Sequence, residues 1–179
     1  VGGNVTRIVE ATEILANQQL PLEVNGGVYA FDGTWLWEGL FKLPKSSRGE
    51  FYITSLVEIA SADGSTIAIT VTPDENEVIG INNRVQLAQA ENIMRRKIRD
   101  SLMMSGVTML DPESILVDIG VKIGQDTTIY PHTLILGNST IGNNCTIGPG
   151  TVIEDSTISD ETKVVASFVR DSVLEEGVS

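Results

Sequence analysis

From Val117 onward an aliphatic residue recurs every six positions: Val117, Ile123, Ile129, Ile135, Ile141, Ile147 and Ile153. The series slips by one to Ile158 and resumes at Val164. Four positions after most of these stands a small residue: Thr127, Thr133, Ser139, Cys145, Thr151, Thr157, Thr162. The position after the aliphatic is often glycine or acidic, as in Ile141-Gly142 and Ile147-Gly148. An alternating sandwich strand would show a period of two, so a period of six calls for a different architecture.

That architecture is an all-β left-handed parallel β-helix, a solenoid with one hexad on each flat face and three faces per coil. The aliphatic side chain points inward and stacks on its copies in neighbouring coils. The small residue fits the crowded interior beside it. Glycine, asparagine and aspartate relieve the backbone at the corners, where φ is positive.

Residues 1–80 carry a different pattern. Val5–Glu10, Val24–Phe31 and Thr66–Thr72 read as strands, with a short one at Glu77–Ile81, because β-branched and aromatic residues are concentrated there. Thr34–Leu43 and Phe51–Ala60 have helical spacing; Asp32-Gly33 is a turn signal and Asp63-Gly64 ends the second helix. Alternating strands and helices indicate an α/β domain, although some eighty residues are too few for a full nucleotide-binding α/β layer. A long helix from Arg84 to Ser105 follows, with Leu87, Ala90, Met94, Ile98 and Leu102 on one face. Asn82 or Asn83 is its expected N-cap and Gly106 its C-cap. Asp111-Pro112 marks the exit into the solenoid. The expected division is 1–83, the C-terminal part of an α/β domain; 84–111, linker helix and connector; and 112–179, the first coils of the β-helix.

Charge and composition narrow the partners. The 179 residues carry a net charge of −12, which disfavours nucleic acid and anionic membranes. No apolar run reaches membrane-spanning length, and no signal peptide is visible at Val1-Gly2-Gly3-Asn4. A single cysteine, Cys145, excludes an intrachain disulfide framework and fits a cytoplasmic protein. Arg95, Arg96, Lys97 and Arg99 read as a solvated basic face that favours the helix C-terminal half through its dipole. Trp35 and Trp37 read as packing residues, His132 as an exposed corner residue, and Cys145 as inert core.

An α/β segment, a helix and then hexapeptide repeats, in that order, resembles a family: the bacterial bifunctional N-acetylglucosamine-1-phosphate uridylyltransferase/glucosamine-1-phosphate N-acetyltransferases. The blocks that carry the resemblance are Arg7-Ile8-Val9-Glu10, Glu23–Tyr29 with its Asn25-Gly26-Gly27, Gly49-Glu50-Phe51-Tyr52-Ile53-Thr54, Glu77–Ala88, Gly106–Pro112 and Ile147–Thr151. Glu77–Ala88 is the most specific of them. The resemblance implies an α/β nucleotidyltransferase portion (C-terminal part only), a linker helix and a β-helix acetyltransferase portion.

It also implies two reactions. A sugar-1-phosphate oxygen attacks the α-phosphate of UTP, and pyrophosphate leaves. Acetyl passes from acetyl-CoA to glucosamine-1-phosphate. The implied cofactor is Mg2+, suited by hard oxygen ligands. Asn82 would give that metal one oxygen. Glu10 and Asn25, with Asn82, would contact UDP-N-acetylglucosamine, the first two through hydroxyl and amide groups of the sugar. UTP and N-acetylglucosamine-1-phosphate are the implied partners, and the parent is expected to be a homotrimer through its β-helix.

Three departures from the family pattern bear on the sugar. Ala11-Thr12-Glu13 follow Glu10 where the family soon has a lysine; Gly26 replaces a threonine or serine; Ser55 replaces an aspartate. They point to a shifted sugar preference, a weaker enzyme or a diverged paralogue. The family's glycine-rich loop, phosphate-binding lysine and metal-binding aspartate are expected upstream of Val1, and its acetyl-CoA site downstream of Ser179. No catalytic residue is therefore expected within the chain. A solenoid ending uncapped at Val178-Ser179 reads as an internal stretch, expected to be inactive alone in a UTP- and magnesium-dependent pyrophosphate-release assay. Two other readings stay open: a related nucleotidyltransferase whose β-helix is a regulatory or oligomerising tail, and a non-catalytic paralogue used in assembly or nucleotide sensing.

Overall fold

A computed structural model describes residues 5–10, 23–46 and 48–179. The chain forms two compact units, Val1–Gly80 and Ile81–Ser179.

Helix α1 spans Gly33–Phe41 and is capped by Asp32, whose carboxylate accepts from the Trp35 N–H at 2.9 Å. The Asp32-Gly33 turn signal is thus a helix start. Helix α2 spans Ser55–Ala62 and begins later than the expected Phe51, because Phe51 pairs with Lys45 in an antiparallel bridge. The two helices meet where Gly39, buried, lies against Leu56, also fully buried.

The expected strands at Val5–Glu10, Val24–Phe31 and Thr66–Thr72 make no sheet among the described residues. Their composition favours extended chain, but a ladder also needs a neighbouring strand, and the described residues of this unit supply only the Lys45–Phe51 bridge. Val24 and Val28 are accordingly 90% and 86% exposed. The expected strand at Glu77–Ile81 is overtaken by a 3₁₀ turn, Glu75–Val78, which the Asp74 side chain caps by accepting from Asn76 N–H.

In the second unit, helix α3 spans Arg84–Met104. Asn83, not Asn82, caps it, its Oδ1 accepting from Gln86 N–H at 2.9 Å. Ser105 is the C-cap, and Gly106 follows with φ of 104°. Only the end of the expected apolar stripe is packed: Ile98 and Leu102 lie on the solenoid core, beside Met103 from outside the stripe, while Leu87 and Met94 are half exposed. Arg99 departs from the solvated-face expectation. It is buried and reaches Glu113 in the Pro112–Ser114 turn at 2.8 Å.

The solenoid is a left-handed parallel β-helix of three four-stranded parallel sheets. One stacks Thr108–Met109, Thr128–Ile129, Thr146–Ile147 and Lys163–Val164. A second stacks Leu116–Val117, Leu134–Leu136, Val152–Glu154 and Phe168–Arg170. The third stacks Lys122–Ile123, Thr140–Ile141, Thr157–Ile158 and Val173–Leu174. Register aligns the aliphatic series coil on coil: Val117 on Ile135 on Ile153, Ile129 on Ile147 on Val164, Ile141 on Ile158. Ile129, Ile135, Ile147 and Ile153 are entirely removed from solvent.

The small interior position needs one correction. Thr157 is exposed, and Ser156 is the buried residue. The step from Ile153 to Ile158 is one residue short, so counting forward from the aliphatic overshoots. Counting back holds from Ile129 to Val164: the small residue stands two before the next aliphatic, as in Thr127–Ile129, Ser139–Ile141, Ser156–Ile158 and Thr162–Val164, whereas the first coil has Ile115 and Val121 in that place. These hydroxyls are buried because each finds a backbone carbonyl: Thr127 donates to Gly142 O, Ser139 to Leu136 O and Ser156 to Glu154 O, all at 2.7–2.8 Å.

Corners use left-handed backbone at non-glycine residues, including Asp126, His132, Asn144, Asp155 and Glu161. Side chains of one coil also bind the backbone of another: Asn143 Oδ1 accepts from Gln125 N–H at 3.0 Å, and Asp160 Oδ1 accepts from Asn143 N–H at 2.8 Å. This stacking leaves Gly142 no room for a side chain, since a Cβ there would stand 2.7 Å from Asp160 N.

Candidate substrate site

Glu10 is half-buried, and its Oε1 accepts a 2.6 Å hydrogen bond from the Thr54 hydroxyl. The two residues close different sequence blocks, Arg7–Glu10 and Gly49–Thr54, forty-four positions apart. The fold thus brings together two of the blocks that carry the family resemblance. In the sequence Thr54 is only the last letter of its block, with nothing to tie it to Glu10. The available signal was its place immediately before the apolar helix Ser55–Ala62.

Asn25 is exposed and its side chain is engaged at both ends. Its Oδ1 accepts from Gly27 N–H at 3.0 Å, forming an Asx turn, and its Nδ2 donates to Tyr29 Oη at 2.6 Å. Tyr29 stacks on Phe31, and Phe31 on Trp35, with ring centroids 5.7 and 6.1 Å apart. Trp35 therefore packs as expected, whereas Trp37 is 68% exposed. No hydrogen bond joins Glu10 to Asn25 among the described residues.

The departures from the family pattern have different standings. Gly26 lies against Val78, whose Cγ1 would be 2.8 Å from a Cβ at that position. A side chain at position 26 would therefore press on Val78. Ser55 is the first residue of α2. Ala11 and Thr12 lie outside the described residues.

Asn82 belongs to the other unit and is exposed. Its backbone N–H donates to Gln86 Oε1 at 2.7 Å, while the cap itself is made by Asn83. Its side-chain amide is thus outside the capping bond, and its carbonyl oxygen is of the hard type that suits magnesium. One neutral oxygen does not make a magnesium site, and the described residues hold no group of three His, Cys, Asp or Glu placed to bind a metal ion.

Elsewhere, His132 is exposed at a solenoid corner with φ of 59°, and Cys145 is buried in the core, as its hexad position required. Arg95 pairs with Glu91 and Arg96 with Asp100 along α3. No helix among the described residues is long and apolar enough to cross a membrane.

The coils themselves define a class. Residues 120–155 match the bacterial transferase hexapeptide family, a six-repeat motif. Over almost the entire chain the likeness is narrower. It is 44% identical across 173 residues, 96% of its length, to the bifunctional protein GlmU of Exiguobacterium sibiricum. It is 39% identical to that of Latilactobacillus sakei and 40% identical to that of Halalkalibacterium halodurans, over 98% and 99% of the chain. These alignments take in 38 or 39% of each relative, so the chain spans well under half the length of the proteins it matches. Along nearly its whole length the chain is thus similar to one stretch of the bifunctional GlmU proteins.

Proposed function

We propose that this chain is part of an enzyme of UDP-N-acetylglucosamine biosynthesis. One reaction transfers UMP from UTP to N-acetylglucosamine-1-phosphate and releases pyrophosphate. The other transfers acetyl from acetyl-CoA to glucosamine-1-phosphate. The observation that carries this reading is the likeness to GlmU relatives along 96% of the chain, across both the helical unit and the coils.

The first reaction displaces pyrophosphate in line, so the protein's work is mainly to hold the sugar phosphate at the correct angle and distance. Glu10 offers carboxylate oxygen to hydroxyl or amide donors of the sugar. Asn25 offers an amide already oriented by Gly27 and Tyr29. Asn82 supplies one oxygen to Mg2+, which when bound neutralises charge on the phosphates. In this reading residues 1–83 belong to the uridylyltransferase part, 84–111 connect, and 112–179 open the acetyltransferase β-helix, through which a cytoplasmic homotrimer assembles.

A chimera tests the proposal. This chain replaces the aligned 173-residue stretch of the Exiguobacterium sibiricum relative, and both transfers are measured beside the unaltered relative. Both activities are expected to survive. A folded chimera that performs neither transfer would overturn the proposal. One that transfers acetyl but not UMP would move the chain to the reading in which its first unit is non-catalytic.

A further inference from the structure

Thr54 occupies the N-cap position of α2 but makes no side-chain cap bond. A threonine there ordinarily has extended backbone and accepts from an N–H of the first turn. Thr54 instead has helical backbone, φ −57° and ψ −28°. The helix does not need its hydroxyl. Ser55, Leu56 and Val57 N–H donate to the carbonyls of Tyr52, Ile53 and Thr54 at 3.0–3.1 Å. The hydroxyl is thereby released from capping, and it is spent on Glu10.

We infer that Thr54 is a positioning residue for sugar recognition: its hydroxyl holds Glu10 by one carboxylate oxygen and leaves the other to accept from the sugar. The inference rests on the sugar-binding role proposed above for Glu10.

Three features support it. The donor is fixed, because Thr54 is buried, β-branched, and anchored next to Leu56 and Val57 in the small core of the first unit. The acceptor is a flexible side chain. A glutamate side chain has three rotatable bonds and loses considerable freedom when it must meet a ligand. A bond at 2.6 Å to Oε1 sets its rotamer beforehand, so less freedom is lost on binding. The chemistry is also directional. A hydroxyl has one proton, and Thr54 gives it to Glu10. Recognition of the ligand's own hydroxyl or amide N–H then falls to the remaining carboxylate oxygen, which selects a donor-bearing sugar over one lacking that donor.

The test uses the chimera carrying the whole chain, with Thr54→Val, Thr54→Ser and Glu10→Gln. Valine keeps the shape and removes the proton; serine keeps the proton. Thr54→Val is expected to raise the KM for N-acetylglucosamine-1-phosphate by roughly tenfold, the scale of a hydrogen bond to a charged group. The KM for UTP and kcat should hold, and acetyl transfer, made in the coils, should be unchanged and report an intact fold. Thr54→Ser should restore most of the sugar-phosphate KM. In the Glu10→Gln background, Thr54→Val should add much less than it does alone.

A sugar-phosphate KM indifferent to Thr54→Val overturns the positioning role while uridylyl transfer still stands. Equal impairment by serine and valine also overturns it, since packing would then be the cause. A chimera without uridylyl transfer removes the function on which the inference rests, and the inference with it.

Discussion

Arg99 and Glu113 form an unequal pair: Nη2 and Oε1 are 2.8 Å apart, yet the arginine side chain is 7% exposed and the glutamate 81%. The contact joins α3 to the turn between the strands Thr108–Met109 and Leu116–Val117 of the first coil. Because Glu113 keeps its water, the charge interaction is worth little, below about 1 kcal/mol. The arginine stem, by contrast, is covered and contributes by packing. Arg99→Ala is expected to cost roughly 2 kcal/mol, Arg99→Met clearly less, and Glu113→Gln under about 1 kcal/mol. Urea unfolding midpoints check the order. Equal losses for Glu113→Gln and Arg99→Ala would show the charge, not the stem, to be the source.

Asn82 and Asn83 are adjacent, and the structure separates their roles. Asn83→Ala removes the α3 cap bond and should cost about 1 kcal/mol. Asn82→Ala removes a side chain outside that bond and should alter stability by less than about 0.5 kcal/mol. In the chimera, Asn82→Ala should instead depress UMP transfer, partly recoverable with more magnesium. Thermal unfolding of both variants, with the pyrophosphate-release assay, checks this. A destabilisation by Asn82→Ala as large as that of Asn83→Ala would place it in the cap.

Asp160 gives the solenoid an acid-sensitive tie. Hydrogen bonds from the Asn143 backbone and then its side chain hold the carboxyl below the ordinary carboxylate range, against a small opposing effect of desolvation. A group whose value is lowered on folding stabilises the fold above its unfolded value, near 4, and loses that contribution as pH falls through the lowered folded value. The chain should therefore lose stability on acidification below about pH 4. Asp160→Asn should flatten part of that decline. Unfolding midpoints between about pH 6 and 2 read the slope, and an unchanged slope in Asp160→Asn would assign the decline to other carboxylates.

The solenoid was legible because its information is local and repeated. Ile129, Ile135, Ile147 and Ile153 meet their own kind one coil away, so spacing alone placed them inside. The helices were legible for a similar reason, with ends moved by partners: Asp32 capping α1, and the Lys45–Phe51 bridge delaying α2. The strands of the first unit were not, since β-branched composition describes a chain's preference and not its neighbour. Burial of Arg99 was hidden for the same reason. Its partner is fourteen residues on, beyond the helix that made it look like one more surface cation. At the candidate site, Glu10 and Asn25 were visible as parts of motifs. The Thr54–Glu10 bond spans forty-four residues and exists only in the folded unit.

The two-residue spacing between small and aliphatic interior positions makes the strand pair the indivisible unit of this solenoid, and the corner its adjustable seam. Where Gly137-Asn138 turns one coil, Asp155 alone turns the next, and Ala166 and Asp171 do likewise further on. Each shortening leaves the isoleucine ladder in phase, because the deleted residue came from outside it. A residue inserted between Thr151 and Ile153 would do the opposite, turning an interior side chain to the surface by the twofold alternation of the strand. Insertions and deletions in this part of the molecule are thus steered to its edges, where length can drift without a change of reading frame in the core.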